Sequence, residues 1–89
     1  TSTWYNYLEH ILYEHVSAKK RRKALNILKK YKEKDVSIAI GYQGNFVVVI
    51  IKLSDCYRVG IAKRNPIDLY KEEIGIAIAL LRALDIAKS

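Results

Sequence analysis

A chain of 89 residues allows one compact domain with a modest core and leaves no room for a second. Hydrophobic residues make up 51% of it beside a net charge of +7, which excludes a disordered basic tail and points to a folded protein with an anionic partner. The lone cysteine, Cys56, excludes an internal disulfide and fits a reducing compartment, and no apolar stretch approaches the roughly 18 residues that span a bilayer.

The first element is an amphipathic helix over Thr3 to Val16, with Thr3 as N-cap and Trp4, Leu8, Ile11, Leu12 and His15 at helical spacing. Tyr5, Tyr7 and Tyr13 broaden that stripe. A second helix begins near Ser17 and runs to about Lys32, with Ala24, Ile27, Leu28 and Tyr31 on one face. No Gly or Pro separates the two, so one continuous helix and two separate ones both fit the sequence. Nine of the sixteen basic residues fall between Ser17 and Lys34, against the single acid Glu33. That segment carries +8 and the rest of the chain −1.

The hydrophobic period then shortens from helical to alternating. Gly44-Asn45 is a two-residue hairpin turn that pairs Gln43 with Phe46 and puts Ile38, Ile40, Val49 and Ile51 on one face, with Val36 opposite Leu53. Taking Ser54-Asp55-Cys56 as the next turn pairs Leu53 with Tyr57, Ile51 with Val59 and Val49 with Ile61, extending the same face. The opposite face then carries Ala39, Gly41, Gly60 and Ala62 around Val48 and Ile50. Because the middle strand is apolar on both sides, this second face calls for a cover, either the N-terminal helix or a second copy in a homodimer.

Asn65-Pro66-Ile67-Asp68 ends the third strand and starts a final helix, with Asn65 as cap, Pro66 in the first turn and Asp68 and Glu72 near the positive end of the dipole. That helix runs to about Ala87, with Ile74, Ala77, Ile78, Leu81 and Leu84 on one face and Ile76, Leu80 and Ala83 on another. The predicted fold is α+β: two N-terminal helices, a three-stranded antiparallel meander and a C-terminal helix. It forms a single domain over residues 1–89, divided into a basic helical region (1–34), a sheet (35–64) and the last helix (65–89).

The candidate binding residues are Lys19, Lys20, Arg21, Arg22, Lys23, Asn26, Lys29, Lys30, Lys32 and Lys34. Each Lys or Arg placed near a phosphate releases condensed counterions, so a segment this dense in cations suits nucleic acid or a nucleoprotein. Lys19 to Lys23 span more than one turn and point around the helix. Phosphate contacts confer affinity without sequence choice; Arg21, Arg22 and Asn26 are the residues able to read base edges. An acidic or nucleic-acid-binding host protein is the alternative partner for the same cations.

No constellation predicts catalysis, a metal or a cofactor. His10 and His15 are five residues apart instead of the four that bring two imidazoles to one metal, and Cys56 has no CxxC partner. Glu9 and Glu14 have no placed nucleophile beside them. Glu72-Glu73 reads as dipole compensation, and the four glycines are too scattered for a phosphate loop.

The stretch YRVGIAKRNPIDLYKEEIGIAIALLRAL, Tyr57 to Leu84, resembles the C-terminal part of small proteins encoded by phages and prophages of Firmicutes. Those end in a strand reading roughly VGIAK, an N/H-P-x-D turn and a helix of pattern EIG-x-A-x-A-x-x-RAL. The matching positions are Val59 to Lys63, Asn65, Pro66, Asp68, Glu73 to Gly75, Ala77, Ala79 and Arg82 to Leu84. The resemblance implies an accessory protein of a mobile element acting on the host or on phage expression. Joined to the basic helix, it predicts a non-enzymatic protein of the host cytoplasm that binds nucleic acid or a nucleoprotein, the alternative being an inhibitor of a host factor such as a defence nuclease, of the anti-defence or anti-CRISPR type. It leaves the basic helix outside its reach.

Overall fold

Two N-terminal helices, a three-stranded antiparallel sheet and a C-terminal helix make up the computed structural model, which describes residues 3–34, 36–63 and 72–86. Helix α1 spans Thr3–His15 and α2 spans Ala18–Glu33; strands β1 (Ser37–Gln43), β2 (Phe46–Lys52) and β3 (Tyr57–Lys63) follow, and α3 covers Glu72–Ala83. The first two helices are separate. The Val16 amide still donates to the Leu12 carbonyl at 3.1 Å, and Ser17 then turns extended (φ −61°, ψ 154°) before the Arg21 amide donates to its carbonyl at 2.8 Å. Ser17 thus breaks the chain through its backbone, since its side chain makes no capping hydrogen bond.

The β1–β2 hairpin has the register that its turn dictates. Gly44 sits at φ +59°, where a Cβ would be strained, and Gln43 pairs with Phe46, Ile40 with Val49 and Ile38 with Ile51. The second hairpin corrects the sequence expectation by one residue. Lys52 pairs with Tyr57, Ile51 with Arg58, Val49 with Gly60 and Val47 with Ala62. The Leu53 amide donates to the Cys56 carbonyl at 2.9 Å, so the turn is Ser54-Asp55 and Cys56 belongs to the returning arm. A one-residue slip exchanges the two faces of a strand. Gly60 and Ala62 therefore face the core, and Tyr57, Val59 and Ile61 face outward.

The cause lies in what stands opposite. Helix α3 packs on β3 and β2, and its backbone comes so close that a Cβ built on Gly60 would collide with the Ala79 carbonyl oxygen and lie 2.5 Å from the Ala83 amide nitrogen. Only the small-residue phase of β3 can accept a helix at that distance. Gly75 repeats the arrangement one strand over, where an added Cβ would meet a Val47 methyl at 3.3 Å. Arg82 ties the pair further, its guanidinium donating to the Ile61 carbonyl of the edge strand at 2.6 Å.

All three helices lie on this one side. Helix α1 packs on α3 and α2, and Leu8, Ile11 and Leu12 meet Leu28, Val47, Val49, Ile51, Ile76 and Leu80 in a core from which water is excluded. The N-terminal helix does not cover the second sheet face. Helix α3 also ends earlier than expected: Asp85 adopts φ 62°, its amide donates to the Arg82 carbonyl at 3.1 Å, and the Ile86 amide donates to the Leu81 carbonyl at 2.8 Å. That is a Schellman closure with Asp in the position glycine usually takes, sealed by the buried pair Leu81 and Ile86. The Asn65-Pro66-Ile67-Asp68 start and Ala87 lie outside the described residues.

Candidate nucleic-acid interface

Successive residues of a helix advance by about 100°, so the core contacts of α2 decide which cations are presented. Ala24, Leu25 and Leu28 are buried, with Ile27 and Tyr31 half-buried beside them. The opposite face carries Lys19, Arg22, Lys23, Asn26, Lys29, Lys30 and Glu33, all exposed and confined to about 120° of arc. Five cations thus form one ribbon along the helix. Among the described residues none of the five has a carboxylate within ion-pair distance; the contacts found there are those of His10 and His15 with Glu73.

The other basic residues have different surroundings. The Arg21 guanidinium lies over the Tyr13 ring, 4.4 Å from its centroid, and the Lys32 ammonium lies 4.6 Å from the centroid of Tyr5. Both are cation–π contacts that fasten α2 to α1. Lys20 is half-buried and lines a shallow pocket between the α1–α2 break and α3, with His15, Val16, Ser17, Ile74 and Ile78. Lys34 is exposed at the C-cap, where its amide donates to the Tyr31 carbonyl at 3.1 Å. Of the base-reading candidates, Arg22 and Asn26 share the ribbon one turn apart, while Arg21 is held against Tyr13.

The helix dipole makes this placement costly. The first turn of α2 holds no acid and contains Lys19, Lys20 and Arg21, each opposing the positive end of the dipole by roughly 0.3–1 kcal/mol. Lys30 and Lys32 in the last turn are placed favourably. No acid in the first turn offsets this local cost.

Glu73, read from sequence as dipole compensation, also bridges two histidines: its carboxylate is 3.3 Å from His15 Nε2 and 4.0 Å from His10 Nε2. These contacts join α3 to α1. Among the described residues no group of three or more His, Cys, Asp or Glu side chains could hold a metal ion, and Cys56 is a free, exposed thiol. No helix among the described residues is long and apolar enough to cross a membrane.

The structure adds one surface that the sequence reading misplaced, the outer face of the sheet, where Phe46, Ile50, Tyr57, Val59 and Ile61 each leave 37–65% of their area in solvent. The available signal was the alternation of large and small residues in Tyr57-Arg58-Val59-Gly60-Ile61-Ala62, matched by Gly75, Ala79 and Ala83 on α3. Neither a family model, nor a curated protein, nor a solved structure matches the chain.

Proposed function

We propose that this chain is a non-enzymatic accessory protein of phage type that works in the host cytoplasm, binding nucleic acid or a nucleoprotein through the outward ribbon of α2. The observation that carries the reading is the segregation of Lys19, Arg22, Lys23, Lys29 and Lys30 onto one exposed face whose single acid, Glu33, forms no ion pair with them. Lys19 and Lys30 are about 16 Å apart along the axis at the helical rise, a span over which duplex presents many phosphates. Arg22 and Asn26 supply whatever base preference exists, and Lys34 extends the ribbon past the helix end. The resemblance of Tyr57 to Leu84 to phage-encoded proteins supports the biological setting and says nothing of the ribbon.

The test is titration of fluorescent duplex DNA and single-stranded RNA at low salt, with wild type and a variant carrying Gln at Lys19, Arg22, Lys23, Lys29 and Lys30. Wild type should bind, and the variant should lose at least tenfold in affinity while unfolding as cooperatively as before. Absence of binding to either nucleic acid at low salt by a folded wild type would contradict the reading. It would leave the cations to an acidic protein partner, as in the inhibitor alternative.

A further inference from the structure

The strand register lays out the outer sheet face as a grid of four rows. Gln43, Phe46 and Lys63 form the first row, Gly41, Val48 and Ile61 the second, Ala39, Ile50 and Val59 the third, and Ser37, Lys52 and Tyr57 the fourth. The two middle rows contain no polar side chain. Monomeric proteins rarely leave so continuous an apolar surface in water, and the pattern of this one says what covers it.

We infer that this face binds a second copy of the same chain, sheet against sheet, about a twofold axis that lies between the sheets and runs across the strands. Such an axis places the first row of one copy over the fourth row of its partner and the second over the third. Lys52 then stands over the partner's Phe46 and Lys63 over the partner's Tyr57, so each cation of the face meets an aromatic ring. Val48 stands over the partner's Ile50, and Ile61 over the partner's Val59, forming the apolar centre. The alternative twofold, parallel to the strands, would set Lys52 against its own copy in the partner. Stacking of each lysine on an aromatic ring therefore favours the first axis, and aligned packing of this sort is ordinary for β-sandwiches.

Area sets the strength. Three seven-residue strands cover roughly 23 Å by 14 Å at normal strand rise and spacing. Two such faces have a projected area of roughly 640 Å² together, below the standard size of specific interfaces. The dimer is accordingly a weak one that forms only as concentration rises. A single-stranded nucleic acid fits the centre less well, since bases stack on aromatic rings and the middle rows hold only aliphatic or smaller residues.

Sedimentation equilibrium from 1 to 500 µM tests the inference. Wild type should pass from 10.3 kDa to twice that mass as concentration rises. Val59→Glu should stay at 10.3 kDa throughout, with an unchanged thermal transition at 1 µM. Ile61→Lys serves as an independent disruption if Val59→Glu fails to fold. Combined Lys52→Ala and Lys63→Ala should weaken association about tenfold, and Lys29→Glu, off the face, should not change it. A wild type that remains monomeric at 500 µM overturns the inference, as does a dimer that folded Val59→Glu and Ile61→Lys leave intact. A monomer whose binding of single-stranded RNA is abolished by Val59→Glu would assign the face to nucleic acid instead.

Discussion

The two faces of the sheet are built from similar numbers of apolar residues and have opposite fates. On the inner face β3 contributes Arg58, Gly60 and Ala62, and on the outer face Tyr57, Val59 and Ile61. Ranking by hydrophobicity alone would bury the second set. The first is inside because α3 lies against it at backbone distance, and a strand carrying Val59 and Ile61 on that side would hold the helix away. Burial is decided by the shape of the opposing element as much as by transfer free energy. The same reasoning divides the cations of α2, where the ring of Tyr13 holds Arg21 and the ring of Tyr5 holds Lys32, while five others meet only solvent.

The sharpest way to break the comparison is to fill the inner face. Gly60→Val adds a side chain where the Ala79 and Ala83 backbone already stands, and α3 must move or the strand must slip. Overpacking of this kind costs about 3 kcal/mol or more, and denaturant titration should show either that loss or no cooperative transition. Val59→Ala on the adjacent outer position should cost about 1 kcal/mol or less. Similar costs at both positions would mean that β3 has the other register.

Emptying the two faces gives the next effect. Ile51 is fully buried on β2, so Ile51→Ala should cost about 2–5 kcal/mol through lost burial and a residual cavity. Its neighbour Ile50, 37% exposed, should cost about 1 kcal/mol when changed to Ala and measured at concentrations too low for self-association, and Lys52→Ala still less. Reversal of this order would place the sheet upside down on the helices.

The smallest effect comes from the helical side of the core. Burial pushes the Tyr5 phenol above its ordinary pKa of 10.0, and the nearby Glu9 carboxylate, hydrogen-bonded to it, pushes the same way. The neutral phenol is therefore favoured by the fold. Its contribution is fully present below about pH 10 and is lost as pH rises through the raised value. Thermal midpoints followed from pH 8 to 11.5 should fall less steeply for Tyr5→Phe than for wild type; parallel curves would show that Tyr5 is not buried against α2.

Most of the architecture was legible because local signals and periodicity agreed. Gly44-Asn45 announces a tight turn, and the resulting pairing of Ile38 with Ile51 and Ile40 with Val49 places every apolar residue of β1 and β2 consistently. The β2–β3 register was misread because Ser54-Asp55-Cys56 offers no glycine or proline to mark its length, and both phases of Tyr57 to Lys63 contain apolar residues. The end of α3 was misread because Asp85 takes a left-handed conformation that sequence assigns to glycine. The candidate binding residues were identifiable as a group. Which of them face outward was not, because that depends on Leu25 joining Ala24 and Leu28 in the core, and on the Tyr13 and Tyr5 rings that hold Arg21 and Lys32.

The claim on which the proposed function rests is that position on α2, and not total charge, determines nucleic-acid binding. The direct measurement is the salt dependence of duplex affinity for wild type, for a ribbon variant with Gln at Arg22, Lys23, Lys29 and Lys30, and for a variant with Gln at Arg21 and Lys32. Each lost phosphate contact should reduce the slope of log affinity against log salt by about 0.9, so the ribbon variant should lose between about 3 and 4 in slope. The second variant should keep the wild-type slope within about 1 while losing some thermal stability. Equal slope losses per charge removed in the two variants, or an unchanged slope in the ribbon variant, would contradict the account.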